Sequence, residues 1–282
     1  MKLNIGMRCH DLCPKMEMEA LFKEVKANGI HQIQLAFGKS VSNYDFSTGH
    51  YSPGFARYIR DELAKNEIHV AVLGCYINPT NPIEAKRREA VDRFIEHMKY
   101  ARILGADMVG TETGRLDADF QVTKESYTEE GYQLLLKSMR EIVDAAEKLG
   151  VIVGVEGVFN HTLYSPARMK RFLEDIHSPN VEVILDAVNL IHPDQVSPEA
   201  QRRVIDQAFA YYGDKISVLH VKDFVFEGEE QIFRHVGDGL FCYEPLMRGT
   251  QHFFRRFSTG YRQKPIPRRY IFMRCPFGRL FS

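Results

Sequence analysis

The sequence predicts a single α/β domain of the (β/α)8 barrel type, and three observations lead there. The chain has 282 residues, where a barrel of this kind typically takes about 250. Short apolar runs alternate seven times with long amphipathic segments, with no break in composition between them. The apolar runs are nearly continuous Val, Ile and Leu, as expected of parallel strands buried on both faces. A doubly wound open sheet is the alternative, but no GxGxxG follows the first strand to support a dinucleotide-binding version.

LNIGMRC is the first predicted strand, and MEMEALFKEVKANG is the helix after it, closed by Gly29. IQLAFG precedes the helix SPGFARYIRDELAKN, and HVAVLGCY precedes PIEAKRREAVDRFIEHMKYARILG. ADMVGTETG leads into SYTEEGYQLLLKSMREIVDAAEKLG. There Leu134, Leu135, Met139, Ile142, Val143 and Ala146 recur at three- and four-residue spacing and predict one buried face. VIVGVEGV leads into SPARMKRFLEDI, and VEVILDAVNL into SPEAQRRVIDQAFAYYGD; ISVLHVKDF is the seventh strand. Several helices open with Ser-Pro, or with Ser or Thr followed by acids, and several close with Gly.

Composition narrows the function. Hydrophobic content of 44% and charged content of 26% suit a globular protein with a large core. Lys+Arg and Asp+Glu are both 37, so the net charge is zero and no basic excess predicts a nucleic-acid surface. MKLNIGMRCHDL contains no apolar stretch of signal-peptide length, and no run approaches the roughly 18 apolar residues that span a bilayer. Five cysteines, Cys9, Cys13, Cys75, Cys242 and Cys275, are widely spaced without CxxC. That argues against a disulfide framework or a structural zinc, and the expectation is a cytoplasmic protein with no membrane partner.

In a barrel, chemistry comes from side chains at the C-terminal ends of different strands. Those positions hold Glu112, Glu156 in VGVEGV, Asp186 in VILDAVNL and His220 in VLHVKD. Each interrupts an apolar run, where burial without a partner is expensive. Two carboxylates and an imidazole on consecutive strands suit one divalent ion, Mn²⁺, Mg²⁺, Co²⁺ or Zn²⁺. Glu112 reads equally well as a salt-bridged carboxylate at the barrel mouth.

The order Glu, Asp within LDAVN and His within HVKD resembles the xylose-isomerase-like TIM-barrel superfamily of sugar isomerases and epimerases. GCYINP and RHVGDGLFCYEPLM extend that resemblance over residues 1 to about 247. It implies that Glu156 is a metal ligand and an acid/base carboxylate, and that Asp186 and His220 are the next two ligands. It also implies that Asn189, Lys222 and Arg234 hold substrate oxygens or phosphate, as His161 and His192 would from their places just after strand ends. The implied activity is metal-dependent isomerisation or epimerisation of a sugar or sugar phosphate through an enediolate. Inosose dehydratases, non-catalytic sugar-binding barrels and, more distantly, endonuclease IV are alternatives within the same resemblance. Endonuclease IV needs a His at the third position after the Asp, and this chain has Asn189 there. The resemblance leaves a homo-oligomer open, since relatives often pair through barrel helices.

From Pro245 to Ser282 the chain has no Asp or Glu and many Arg. The resemblance implies an eighth strand of the form IPxxLEE, whose Glu ligates the metal and moves protons. The expected organisation is therefore a barrel domain over 1–247 and an atypical Arg-rich segment over 248–282 replacing the usual last strand. That segment reads as the product of a shifted reading frame near codon 248, as a divergent ending in which RRYIFMR supplies the eighth strand, or as an anion-binding extension. The eighth strand is expected to be atypical or incomplete, and activity to be impaired by the missing Glu.

Overall fold

A computed structural model describes residues 4–228, 230–258 and 269–273. Eight parallel strands close a barrel: β1 (Asn4–Arg8), β2 (Gln32–Leu35), β3 (His69–Gly74), β4 (Met108–Glu112), β5 (Ile152–Glu156), β6 (Val181–Asp186), β7 (Ile216–Val221) and, last in the chain, β10 (Tyr270–Met273). Between β7 and β10, an antiparallel hairpin forms a separate two-stranded sheet of β8 (Asp223–Glu227) and β9 (Glu230–Arg234). The residue pattern does not predict this hairpin, whose second strand is mostly polar.

The helices are α1 (Cys9–Leu12), α2 (Met18–Ala27), α3 (Phe37–Ser40), α4 (Pro53–Lys65), α5 (Glu84–Leu104), α6 (Glu129–Leu149), α7 (Pro166–Ile176), α8 (Pro198–Tyr212) and α9 (Tyr243–Ser258). The Ser-Pro signals work as caps. Ser52, Ser165 and Ser197 each accept a hydrogen bond from a first-turn backbone N–H, with Pro at the start of the helix. Gly105 and Gly150 end α5 and α6 in the left-handed conformation. On α6 the buried face includes Leu135, Leu136, Met139, Ile142, Val143 and Ala146, while Leu134 is half-buried. Leu136 thus takes the place that the spacing had given to Leu134. No described helix is long and apolar enough to cross a membrane.

Most of the core lies between the strands and the helices, where Phe22, Phe94, Tyr132 and Phe172 are fully buried. A second, smaller cluster contains Ala71, Val72, Met108, Ile184, Val218, Tyr270 and Phe272. Apart from Ala71, which adjoins Val72 on β3, these residues lie inside the barrel, where Tyr270 and Phe272 alternate along β10 as inward-facing side chains do.

Closure depends on β10, because a barrel short of one stave leaves two unpaired edges. Tyr270 to Met273 pair with Val218 to Val221 of β7, and Tyr270, Ile271 and Phe272 pair with Asn4, Ile5 and Gly6 of β1. Tyr270–Met273, the apolar centre of RRYIFMR, therefore supplies the eighth strand. Phe272 is 2% exposed, and a Cβ on Gly6 would lie 2.7 Å from its ring and against the Gln32 carbonyl oxygen. Glycine at position 6 makes room for the phenyl ring.

Both sides of that contact are testable by chemical denaturation. Phe272→Ala should lose about 3–5 kcal/mol, and Gly6→Ala about 1–3 kcal/mol through overpacking. A change near zero in both would show that β10 does not close the barrel.

Candidate metal centre

Strand periodicity determines which side chains meet. Ile184 and Val218 belong to the inward cluster, so Asp186 and His220, two residues further along their strands, face the same way. A register shift after Val183 skips one residue of β7 and sets Asp186 level with His220. Without it, Asp186 would pair with a residue of the opposite face. Glu156 ends β5 level with Ile184 on one side and Glu112 on the other.

One ligand atom each from Glu156, Asp186 and His220 lies within 4.8 Å of the others. His220 Nδ1 is 3.4 Å from Asp186 Oδ2 and 3.6 Å from Glu156 Oε2, with the three side chains at most 4% exposed. Asn189 Nδ2 donates to Glu156 Oε1 at 2.6 Å, and Lys222 Nζ donates to Asn189 Oδ1 at 2.6 Å. Lys222 Nζ also sits 3.0 Å from Asp186 Oδ2 as an ion pair. On the far side, His220 Nε2 lies 2.8 Å from Gln34 Oε1, and Gln34 Nε2 donates to the Tyr76 hydroxyl at 2.6 Å.

These charges shift one another. Burial works against the Asp186 carboxylate, but Lys222 first and His220 second hold it well below the usual carboxylate range. Burial likewise works against His220 carrying a proton, yet Glu156 and Asp186 keep it above its ordinary value. Lys222 is pushed down by burial, against the pull of Asp186.

The donor set fits a divalent cation. His220 Nδ1 and Asp186 Oδ2 are buried and take part in no hydrogen bond of proper geometry. Both belong to the group of ligand atoms that lie within 4.8 Å of one another, with the Lys222 ammonium beside Asp186 Oδ2. Two carboxylates and an imidazole are hard and borderline donors suited to Mg²⁺, Mn²⁺, Co²⁺ or Zn²⁺.

The structure brings Asn189 and Lys222 into this group and leaves the other expected contacts outside it. Arg234 lies on β9 with its side chain 40% exposed, and it pairs with Glu227 at 3.7 Å. The hairpin, turned at Gly228 with φ 64°, sets it there. His192 is half exposed, bonded to Asp194 Oδ1 at 2.7 Å, and stacks edge-on against Phe159. It lines a cavity of about 310 Å³ with Tyr164, Leu190 and Gln195. His161 is 2% exposed and its Nδ1 is 3.8 Å from Glu112 Oε2. Glu112, with 29% of its side chain exposed, is pushed up to about 7 by partial burial first and by Glu156 second. Gln34 and Tyr76 escaped the sequence reading. The one available signal was a polar Gln between Ile33 and Leu35 in the apolar end of a strand.

Residues 22–252 match the family described as a xylose isomerase-like TIM barrel. The chain belongs to the xylose isomerase-like TIM-barrel family. It is 23% identical over 174 residues to an inosose dehydratase of Histophilus somni (strain 129Pt), a match covering 60% of this chain and 55% of the relative. The chain thus spans about half the length of the curated relative it matches. Three solved structures, each with a TM-score of 0.67, share the fold of this family member. One is IolI protein with a binding zinc atom, 14% identical over 96% of this chain and 88% of the other. Another is the E. coli 3-keto-D-glucoside 4-epimerase YcjR, 12% identical over 96% and 91%. The third is the D-psicose 3-epimerase of Clostridium cellulolyticum H10 with D-tagatose, 16% identical over 99% and 87%.

Two buried histidines of this family member predict a pH dependence of stability. Burial lowers His97 to about 4 and His161 to about 3, with the charges of Arg93 and Arg115 acting in the same direction. An unfolded histidine titrates near 6.5. The stability these groups contribute is therefore complete above pH ~6.5 and is lost as pH falls toward their folded values, at about 1.4 kcal/mol per unit of difference. Urea unfolding at about pH 7 and about pH 5 should show the lower stability at pH 5, with a shallower fall in His161→Asn. Glu112 and His220, both raised, act in the opposite sense over this range, so the comparison with the variant decides: a pH dependence identical in His161→Asn and wild type would contradict the assignment of His161 as buried and neutral.

Proposed function

We propose that the protein is a metal-dependent sugar or sugar-phosphate isomerase/epimerase, with Glu156, Asp186 and His220 as ligands and Glu156 also as proton carrier. The observation that carries this reading is the convergence of those three buried side chains at the strand ends, with His220 Nδ1 and Asp186 Oδ2 unsatisfied. A divalent ion held there supplies positive charge for the oxygens of an enediolate. Glu156 removes a proton from the carbon beside the carbonyl and can return it to a neighbouring position on the same face, whereas epimerisation needs a second acid to protonate the opposite face. Asn189 fixes the Glu156 carboxylate through Oε1, and the Lys222 ammonium offsets the charge of Asp186 while binding Asn189. His161, His192 and Arg234 belong to the substrate-holding part of this reading, from the loops and hairpin beyond the strands.

The division at residue 248 is part of the same reading: the Arg-rich segment takes the place of the family's last strand and its carboxylate. Tyr270–Met273 carries no acid, and Phe272 stands level with His220. One proton-transfer group of the usual two is then missing, and such groups contribute about 10²- to 10⁴-fold. Turnover should be weak.

The similarity to an inosose dehydratase favours a second reading, elimination of water from a keto-inositol at the same site, which shares the proton-abstraction step. A panel of ketoses, ketose phosphates and inososes, incubated with enzyme and excess Mn²⁺, separates the two by product. Slow epimer formation, abolished in Glu156→Gln, supports the isomerase reading; a dehydrated inositol product favours the second. Turnover unchanged in Glu156→Gln would contradict both.

A further inference from the structure

Gln34 lies on β2, and His220 on β7. The staves β1 and β10 stand between these strands on the barrel wall, so the contact between the two residues crosses the barrel interior. Gln34 is 1% exposed and His220 3%, which leaves each little recourse to solvent. Four neighbours act on the imidazole. Nδ1 faces Glu156 and Asp186, the edge-to-face Phe272 ring lies 6.1 Å away, and Nε2 meets Gln34 Oε1 at 2.8 Å. The amide has its own anchor in the Tyr76 hydroxyl at 2.6 Å, and the Tyr76 ring carries the Lys39 ammonium 3.7 Å from its centroid.

The chemistry of imidazole turns this geometry into a role. A neutral ring offers a lone pair from one nitrogen only when the other carries the proton. Nδ1 is the nitrogen aimed at the carboxylates, so a ring that ligates from Nδ1 must hold its proton on Nε2. That proton requires an acceptor, and Gln34 Oε1 is in place to accept it. We infer that Gln34 is a positioning residue, which selects the Nε2–H form of His220 and orients its Nδ1 lone pair toward a metal held with Glu156 and Asp186. The inference rests on the metal reading of those three residues. It adds that the affinity of the site is determined partly from β2, separated from β7 by two staves round the barrel. Partners of this kind typically affect metal affinity about 10- to 100-fold.

The test measures Mn²⁺ affinity by isothermal titration calorimetry on the full chain and on Gln34→Leu and Gln34→Glu. In parallel, histidine ¹⁵N–¹H correlation spectra of the Zn²⁺-loaded wild type identify which ring nitrogen of His220 carries the proton. The expected result is about a 10- to 100-fold weaker Kd in Gln34→Leu, recovery to within about threefold of wild type in Gln34→Glu, which keeps an acceptor, and a proton on Nε2. A merely structural role would not produce rescue by a buried carboxylate. Wild-type affinity in Gln34→Leu overturns the role of Gln34 and leaves the metal reading standing, whereas a wild type that binds no ion overturns both. If Gln34→Leu fails to fold, the wild-type spectrum still decides: a proton on Nδ1 overturns the inference.

Discussion

Two carboxylates, an imidazole and an ammonium group share one buried volume, and the top of the barrel is arranged around that fact. An ionised group withdrawn from water costs several kcal/mol unless paired and hydrogen-bonded. Here Asn189 joins Glu156 to Lys222, Lys222 neutralises Asp186, and Gln34 takes the outer nitrogen of His220. What stays without a hydrogen bond, His220 Nδ1 beside the ion-paired Asp186 Oδ2, is the part a cation would complete. A network satisfied on every side but one is better explained by a ligand than by a structural role alone.

That arrangement requires a closed barrel. The contact between β2 and β7 exists only because β1 and β10 complete the wall between them, and β10 comes from the segment whose composition departs most from the rest of the chain. Its Phe272 fills the interior beside His220, with Gly6 cut back to admit the ring. The stave thus supplies packing where the family resemblance implies a carboxylate. Under the proposed function that leaves Glu156 as the principal proton carrier; Glu112 stands level with it on β4.

The fold was legible because most of the barrel strands lie in short apolar runs and most helices carry Ser-Pro or Gly boundaries, signals that are local in sequence. Glu156, Asp186 and His220 were legible for the related reason that an ionisable residue in such a run stands out. Lys222 and Asn189 followed from the family resemblance. The register shift after Val183, which makes Asp186 level with His220, leaves no trace in the pattern of residue types. The β8–β9 hairpin was missed because EGEEQIFR is polar and short, and with it went the position of Arg234. Gln34 meets its partner 186 residues away, and a neutral amide carries no charge to announce it. The eighth strand was legible as the apolar core of RRYIFMR, and its lack of an acid is a plain property of the sequence.

The central claim is that these three side chains bind an ion, and metal content tests it most directly. Plasma mass spectrometry on the purified full chain, beside a Glu156→Ala/Asp186→Ala double variant, should find about one Mn, Co, Zn or Mg per chain in the wild type and loss of it in the variant. No bound ion after incubation with excess Mn²⁺, or equal content in the two proteins, would contradict the account.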